Sequence, residues 1–208
     1  MITRIIILSV FAYLLGSIPT AYWIGKIFKN IDIRKHGSGN SGTTNTLRVI
    51  GLRYAIPTLI IDFCKGFAAT CLAFYVILPV GFETYHFKIF FGILAVIGHV
   101  FPIFAGFSGG KGIATFAGAV TGISYPAILI CLAIFIVVTL ISRFISVASI
   151  IASMVLPVFF FKFYSNDPIM LVSGILIVII IIFTHRKNLV RLRNGNENKI
   201  NFKKKINY

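Results

Sequence analysis

Acidic residues are scarce in this chain. Five Asp and Glu stand against 20 Lys and Arg in 208 residues, which gives a formal net charge of +15. That balance would suit a nucleic-acid-binding protein, but most of the bases lie beside hydrophobic segments rather than on one polar domain. Because 58% of the residues are hydrophobic, a soluble domain of this length could not bury its apolar surface. We therefore predict a membrane protein whose bases face anionic lipid headgroups, with no nucleic acid as a partner.

Cysteine is also sparse, and its positions exclude two kinds of site. Cys64, Cys71 and Cys131 all lie inside hydrophobic stretches, with no CxxC pair and no nearby histidine. Such residues are expected to act as small buried apolar side chains. The sequence therefore predicts neither a disulfide nor a metal site.

Apolar stretches of about 20 residues predict the membrane spans. In chain order the candidates are residues 5–28, 54–80, 87–104, 113–141, 147–164 and 168–184. The fourth stretch is too long for one ordinary span, and it contains Tyr125-Pro126, where the residue before proline disfavours helical geometry. Two helices at this stretch make the chain an all-α polytopic membrane helix bundle with about seven transmembrane helices.

The basic residues predict how the chain is oriented in the membrane. With seven spans, three polar stretches and the C-terminal tail share one side, which also carries most of the bases. By the positive-inside rule this side is cytoplasmic and the N-terminus lies outside. We therefore predict one integral-membrane domain over residues 1–185 and a basic cytoplasmic tail over residues 186–208. The run Lys203-Lys204-Lys205 in that tail is expected to bind anionic lipid.

The first polar stretch, residues 37–48, reads GSGNSGTTNTLR and is rich in glycine, hydroxyl and amide groups. Its glycines allow the backbone to approach a ligand closely. Ser38 and Asn45 add hydrogen-bonding groups, and Arg48 can bind a phosphate group through two hydrogen bonds. A flexible polar linker is the alternative, but a linker rarely leads through Asn and Arg straight into an apolar helix. We therefore predict a phosphate-binding segment.

The second polar stretch, residues 98–112, ends in a glycine-rich loop that precedes a helix. Gly109, Gly110 and Gly112 are expected to present free backbone amides, and Lys111 adds a positive charge. The loop does not match the Walker A pattern, so ATP binding is not implied. His99, in the same stretch, is equally compatible with a structural and a functional role.

Two further groups of polar residues follow the later hydrophobic segments. In the third polar stretch, residues 142–149, Arg143 and Ser146 are candidates, although Arg143 would also fit a simple headgroup anchor. His185 and Asn188 are three residues apart, so a helix brings them to one face. Within the second span, Asp62 and Lys65 have the same spacing and are predicted to pair, either bracing a site or lining it.

Taken together, these residues resemble the bacterial acyl-phosphate:glycerol-3-phosphate acyltransferase family. The similarity covers nearly the whole chain and includes Gly16-Ser17-Ile18-Pro19 and Asp62-Phe63-Cys64-Lys65-Gly66 as well as the stretches above. The resemblance implies a multi-pass enzyme of the bacterial inner membrane that moves a fatty acyl group from acyl phosphate to glycerol 3-phosphate. The implied product is 1-acyl-glycerol 3-phosphate, which begins phospholipid synthesis. No cofactor is implied, and we expect a monomer surrounded by membrane lipid.

The resemblance also implies roles for individual residues. It implies catalytic roles for Ser38, His185 and Asn188. It implies substrate binding by nine further residues, which are Asn45, Arg48, His99, Gly109, Gly110, Lys111, Gly112, Arg143 and Ser146. Ser108 departs from the family pattern, which often has lysine at that position.

No carboxylate lies close in sequence to the motif histidines, so a Ser-His-Asp triad is not expected. We therefore expect direct attack of the glycerol 3-phosphate hydroxyl on the acyl carbonyl. The proton acceptor is either His185 or a substrate phosphate oxygen.

Two other classes of protein would use similar residues. A transporter of a phosphorylated metabolite would need basic, glycine-rich elements, but its site should lie near the middle of the membrane. The polar stretches here are predicted at one surface, which argues against transport. A non-catalytic lipid-binding scaffold would not need three separate phosphate-binding elements.

Overall fold

The structure is a computed structural model that describes residues 1–200. The regular structure in this part of the chain is entirely helical, which confirms the predicted fold class. The triplet Lys203-Lys204-Lys205 lies outside the described residues. The α-helices of the described part are α1 (Ile2–Gly16), α2 (Thr20–Lys29), α3 (Thr43–Ile50), α4 (Leu52–Cys71), α5 (Thr84–Val100), α6 (Ile113–Ile123), α7 (Tyr125–Ser142), α8 (Ile145–Ser153), α9 (Val155–Phe163), α10 (Pro168–Thr184) and α11 (Arg186–Arg193).

Several of these helices are long and apolar enough to cross a membrane. Within the described residues four segments meet this criterion, namely Leu52–Tyr75, Thr84–Ala105, Tyr125–Ser142 and Ile145–Phe163. The bent pairs α1–α2 and α10–α11 raise the number to six. Helix α6 has 11 residues, so it extends only about 16 Å against a hydrocarbon thickness of about 30 Å. The total of seven spans and the orientation in the membrane stay predictions.

The long apolar stretch 113–141 is broken, as its Tyr125-Pro126 pair predicts. Helix α6 ends at Ile123, and Ser124 is extended with φ −153° before α7 begins. Proline is well tolerated in the first turn of a helix, where its missing N–H would have no partner. The prediction of two helices here is confirmed.

The first predicted span, residues 5–28, is interrupted rather than continuous. Helix α1 ends at Gly16, α2 begins at Thr20, and the two axes differ by 42°. Pro19 immediately precedes α2 and has no backbone N–H, so it cannot continue the hydrogen-bond ladder of α1. The break leaves backbone polar groups that need partners elsewhere in the protein.

The described residues form two compact units, residues 1–123 (unit 1) and residues 124–200 (unit 2). In unit 1 the helices approach closely through glycine. A Cβ atom at Gly66 would overlap the carbonyl oxygen of Thr115, and one at Gly118 would overlap that of Phe63. Such contacts let the helix backbones pack closely. Close packing stabilises helix association in a membrane, where the hydrophobic effect does not drive helices together. They hold α4 against α6, the two helices that carry Asp62 and Thr115.

Unit 2 is built around aromatic and aliphatic side chains of α9 and α10. Leu156, Phe160 and Met170 are completely buried there. Gly174 of α10 lies against Phe160 and Pro157, so these two helices also approach closely. This core supports the polar C-terminal end of the unit, where α10 turns by 58° into α11.

Candidate active site

The first polar stretch is organised by the side chain of Asn45. Its Oδ1 atom accepts hydrogen bonds from the backbone N of Ser38 at 2.8 Å and from the Ser38 hydroxyl at 3.1 Å. Its Nδ2 atom donates to the carbonyl oxygens of Ile33 at 3.1 Å and His36 at 3.0 Å. Asn45 is 1% exposed. These four bonds engage the amide fully and fix the orientation of Ser38.

Glycine is required beside this amide. Gly37 has φ +61°, a conformation that favours glycine, and a Cβ atom there would overlap the Oδ1 atom of Asn45. Arg48 is exposed near the end of α3 and carries its charge at the surface of unit 1. The structure thus brings Ser38 and Asn45 together, with Arg48 one helical turn beyond Asn45.

The glycine-rich loop of the second stretch differs from the sequence expectation in one respect. The amide of Gly109 donates to the carbonyl oxygen of Val100 at 3.2 Å, and that of Gly110 donates to the carbonyl oxygen of His99 at 3.1 Å. These two amides close the loop onto the end of α5, so the expectation that they are free is wrong. Free amides are found instead in the first turn of a helix, and α6 begins at Ile113, directly after Lys111 and Gly112.

Asp62 and Lys65 form the ion pair that their spacing predicts. The Lys65 Nζ atom lies 2.8 Å from Asp62 Oδ1, and the two side chains are 3% and 2% exposed. Lys65 also donates to the carbonyl oxygen of Ile18 at 2.8 Å, and the Thr20 hydroxyl donates to Asp62 at 2.9 Å. The pair therefore satisfies a carbonyl group within the break between α1 and α2 and a hydroxyl group at the start of α2.

His99 lies against this ion pair. The sequence does not reveal this contact, because His99 and Asp62 are far apart along the chain. Its Nδ1 atom is 3.6 Å from Asp62 Oδ1 and 3.2 Å from the Thr115 hydroxyl. The sequence shows no carboxylate near a motif histidine, but the fold brings one beside His99. No hydrogen bond in the described residues joins this pair to Ser38, so the contact is not a Ser-His-Asp triad.

In unit 2, Glu197 is a candidate that sequence reasoning missed. Its carboxylate accepts hydrogen bonds from the Ser146 hydroxyl at 3.0 Å, Asn188 Nδ2 at 2.6 Å and Arg191 Nε at 2.8 Å. The backbone N of Ile200 also donates to the carbonyl oxygen of Arg143 at 2.8 Å. One signal was available in the sequence, because Glu197 is the single acid in residues 186–208.

The surroundings of Glu197 favour its ionised form. Burial alone would raise the pKa of this carboxyl group, but the hydrogen bonds from Arg191, Asn188 and Ser146 outweigh burial. The pKa of Glu197 is therefore lowered from its ordinary value. As a result, Ser146 and Asn188 both face an anion that belongs to the protein itself.

His185 ends α10 and is 2% exposed. Its Nδ1 atom lies 2.8 Å from the carbonyl oxygen of Ile181. A carbonyl oxygen can only accept, so Nδ1 carries the proton and Nε2 is the basic nitrogen of the ring. The backbone N of Asn188 donates to the carbonyl oxygen of His185 at 2.8 Å, which puts the two residues in one turn as predicted.

Each of the five acidic residues is engaged by a neighbour. Asp62 and Glu197 have the partners described above, and Asp32 pairs with Arg34 at 2.9 Å. Glu83 forms a capping box at the start of α5, and Asp167 caps the start of α10. Each carboxylate side chain of the protein therefore has a structural partner within the described residues.

The apolar helices and the polar clusters around Asn45, Asp62 and Glu197 define an integral-membrane protein of the helical class. Comparison with known proteins makes this class more specific. The profile of the glycerol-3-phosphate acyltransferase family matches residues 6–195. The glycerol-3-phosphate acyltransferase of Streptococcus pneumoniae strain Taiwan19F-14 is 42% identical over 204 residues, which cover 94% of this chain and 92% of that protein. The corresponding protein of strain Hungary19A-6 is 41% identical over 203 residues, with the same coverage of both chains.

Solved structures agree with these relatives. The crystal structure of PlsY, an integral membrane glycerol 3-phosphate acyltransferase, matches in its glycerol 3-phosphate form with a TM-score of 0.85 at 36% identity, over 95% of this chain and 96% of that one. Its lysophosphatidic acid form matches with a TM-score of 0.82 at 36% identity, over 95% of each chain. The chain therefore belongs to the glycerol-3-phosphate acyltransferase family and is an integral-membrane acyltransferase.

Proposed function

We propose that this acyltransferase moves a fatty acyl group from acyl phosphate to glycerol 3-phosphate, releasing phosphate and 1-acyl-glycerol 3-phosphate. The observation that carries the proposal is the family match over residues 6–195, within which the candidates Ser38, Asn45, Ser146 and Asn188 belong to polar clusters. The donor is supported by chemistry. Phosphate is a good leaving group, so neither ATP nor a cofactor is needed, and the glycine-rich loop is not of the Walker A type.

In the proposed reaction the glycerol 3-phosphate hydroxyl attacks the acyl carbonyl directly. A new C–O ester bond forms, the bond between the acyl carbon and the phosphate oxygen breaks, and inorganic phosphate leaves. Arg48, Lys111 and Arg143 bind the phosphate groups, and the second N–H of Asn188 Nδ2, whose first bonds Glu197, stabilises the negative charge that develops on the carbonyl oxygen. Ser38, oriented by Asn45, assists as a hydrogen-bonding group rather than as a nucleophile.

The hydroxyl proton passes to His185 in this proposal. The bond from its Nδ1 atom to the carbonyl oxygen of Ile181 supports the choice, since Nε2 is then the basic nitrogen. The alternative acceptor is a phosphate oxygen of the substrate. Replacing His185 with Gln should abolish the fall in turnover at acid pH if His185 is the acceptor. An unchanged fall at acid pH would assign the proton to the substrate.

An assay with purified protein tests the reaction. The protein is incubated with acyl phosphate and glycerol 3-phosphate, and released phosphate and lysolipid are measured, with an acyl-coenzyme A arm as the donor control. We expect turnover with acyl phosphate only. Absence of turnover in folded protein would favour a transporter or a lipid-binding scaffold, and acylated Ser38 accumulating with acyl phosphate alone would contradict direct transfer.

Lys111 can be tested in the same assay. Lys111→Met should raise the KM for a phosphorylated substrate by about tenfold or more, because a charge-assisted contact to phosphate is lost. Lys162→Met is the matched control, since Lys162 is an exposed base at the end of α9. An unchanged KM in Lys111→Met would remove the phosphate-binding role of this residue.

We further propose a monomeric enzyme in the bacterial inner membrane with its polar stretches in the cytoplasm. Single cysteines at the exposed positions Lys35 and Ser108, in a chain whose native cysteines are replaced by alanine, should react with an impermeant thiol reagent from the cytoplasmic side. A cysteine at the exposed position Phe82 should react from the opposite side. Labelling of Lys35→Cys and Ser108→Cys from different sides would refute this orientation.

A further inference from the structure

A buried polar cluster in unit 1 has no role in the proposed chemistry. It joins four elements through five side chains, each at most 7% exposed. Its members are Thr20 of α2, Asp62 and Lys65 of α4, His99 of α5 and Thr115 of α6. Ionisable residues within apolar helices are costly, and where they occur they commonly serve a function.

One side of the cluster fixes where α4 lies. Lys65 Nζ is 2.8 Å from both Asp62 Oδ1 and the carbonyl oxygen of Ile18, and the Thr20 hydroxyl is 2.9 Å from the same carboxylate oxygen. The ion pair is therefore held by the break between α1 and α2 and has little freedom to shift. Asp62 in turn offers a fixed negative charge to the ring of His99.

The other side of the cluster touches the glycine-rich loop. The Nδ1 edge of His99 faces Asp62 and Thr115, and the opposite edge faces Gly110. A Cβ atom added to Gly110 would overlap the Nε2 atom of His99 and would lie 2.7 Å from the carbonyl oxygen of Ser41. The loop thus packs directly on the imidazole ring and, at the same residue, against the first polar stretch.

We propose that Asp62, Lys65 and His99 are positioning residues for acyl transfer. They set the position of the Gly109–Gly112 loop through the contact between His99 and Gly110. The inference rests on the proposed function, because it takes this loop to bind a phosphorylated substrate. The ion pair orients the ring, the ring supports Gly110, and Lys111 is the next residue along the chain. A displacement of the ring therefore moves the loop's positive charge relative to the phosphate.

A double-mutant cycle tests the contact. His99→Ala, Gly110→Ala and the double variant are compared for turnover, for the KM of each substrate and for thermal unfolding with and without glycerol 3-phosphate. Each single variant should raise the KM of the same phosphorylated substrate by about tenfold, because each displaces the loop. The double variant should fall about tenfold short of the product of the two single effects, as expected for residues in contact.

Three further variants separate positioning from folding. His99→Gln keeps a polar group near the loop and should recover part of the loss in KM. Thr115→Val removes only the hydroxyl beside His99 Nδ1 and should raise the same KM more mildly, which gives a second test of the contact if His99→Ala does not fold. Thr58→Ala is the control, because Thr58 is buried on α4 but its hydroxyl bonds only to Tyr54 of its own helix. Its KM values should not change.

Multiplicative effects of His99→Ala and Gly110→Ala would overturn the proposal. So would variants that lose thermal stability while every KM stays at the wild-type value. Failure of the proposed function has a different signature, namely wild-type protein that does not turn over acyl phosphate. In that case the shift in melting temperature caused by glycerol 3-phosphate still measures the coupling, and its equal size in all variants would count against positioning.

Discussion

Asp62 in unit 1 and Glu197 in unit 2 are both nearly buried carboxylates that contact a base. The two pairs differ in their position along the chain and in the solvent exposure of the base. Asp62 lies in the middle of α4 and pairs with Lys65 one helical turn away, with both side chains at most 3% exposed. Glu197 follows the last helix and contacts Arg191, whose side chain is 31% exposed. The first pair is surrounded by protein within an apolar helix, whereas the second lies at a partly solvated end of its unit.

This difference shows what each cluster requires. A buried charge that loses its partner in a membrane protein has no water to replace it, so the Asp62 cluster must stay complete. The Glu197 cluster keeps some solvent at Arg191, so water can replace part of a lost contact. Changes in the first cluster should therefore affect stability more strongly than changes in the second.

The largest effect is expected for Lys65→Met. This change leaves Asp62 buried without its base and should lower the free energy of unfolding by about 3–5 kcal/mol. Thermal unfolding of the purified protein measures the loss. The double variant Asp62→Asn, Lys65→Met removes both charges and should be more stable than Lys65→Met alone. If the loss in unfolding free energy of the double variant equals the sum of the losses of Asp62→Asn and Lys65→Met, the two charges are not coupled.

Glu197→Ala should have a smaller effect, about 1.5–3 kcal/mol, because it removes hydrogen bonds to a charged group whose basic partner, Arg191, is partly accessible to solvent. The same unfolding measurement applies. Asn198→Ala is the matched control, since Asn198 is the exposed next residue. A loss larger than that of Lys65→Met would reverse the order of the two clusters.

Acid should weaken the Glu197 cluster. The pKa of Glu197 in the folded protein is lowered from its ordinary value of 4.5. Its contribution is therefore complete above that value and is lost as the pH falls through the lowered pKa. Unfolding measured between pH 6 and acid pH should show this loss in the wild type, and it should be reduced in Glu197→Gln. Equal acid sensitivity of both proteins would contradict the assignment.

The smallest effect is expected for Asp32→Asn. Asp32 accepts hydrogen bonds from Arg34, which also donates to the carbonyl oxygen of Ala105 at 2.8 Å. The hydrogen bond from Arg34 lowers the pKa of Asp32 from 3.8 to about 2, so the pair's contribution to stability is complete above 3.8 and is lost as the pH falls from there through about 2. A pair outside the spans should contribute about 0.2–1 kcal/mol at neutral pH. Unfolding of Asp32→Asn at neutral pH measures it, and a loss as large as that of Glu197→Ala would contradict this ranking.

Local patterns in the sequence predicted much of the fold and part of the candidate site. The helix break at Tyr125-Pro126, the pairing of Asp62 with Lys65 and the single turn shared by His185 and Asn188 all follow from helical spacing or from proline. The sequence places Pro19 inside the first candidate span, but it does not predict that the helix breaks there. Proline inside an apolar run does not by itself reveal whether a helix bends or breaks, because the outcome depends on partners for the freed backbone groups.

The amino-acid sequence alone determined the helical class, the position of most apolar segments and the contacts between residues one turn apart, since these depend on side-chain type and helical repeat. Tertiary structure decided which distant groups meet. Ser146 and Glu197 are separated by 51 residues, and His99 and Thr115 by 16. Their contacts depend on how helices pack and where the chain folds back, and those are set by the sum of many long-range interactions that no local pattern records.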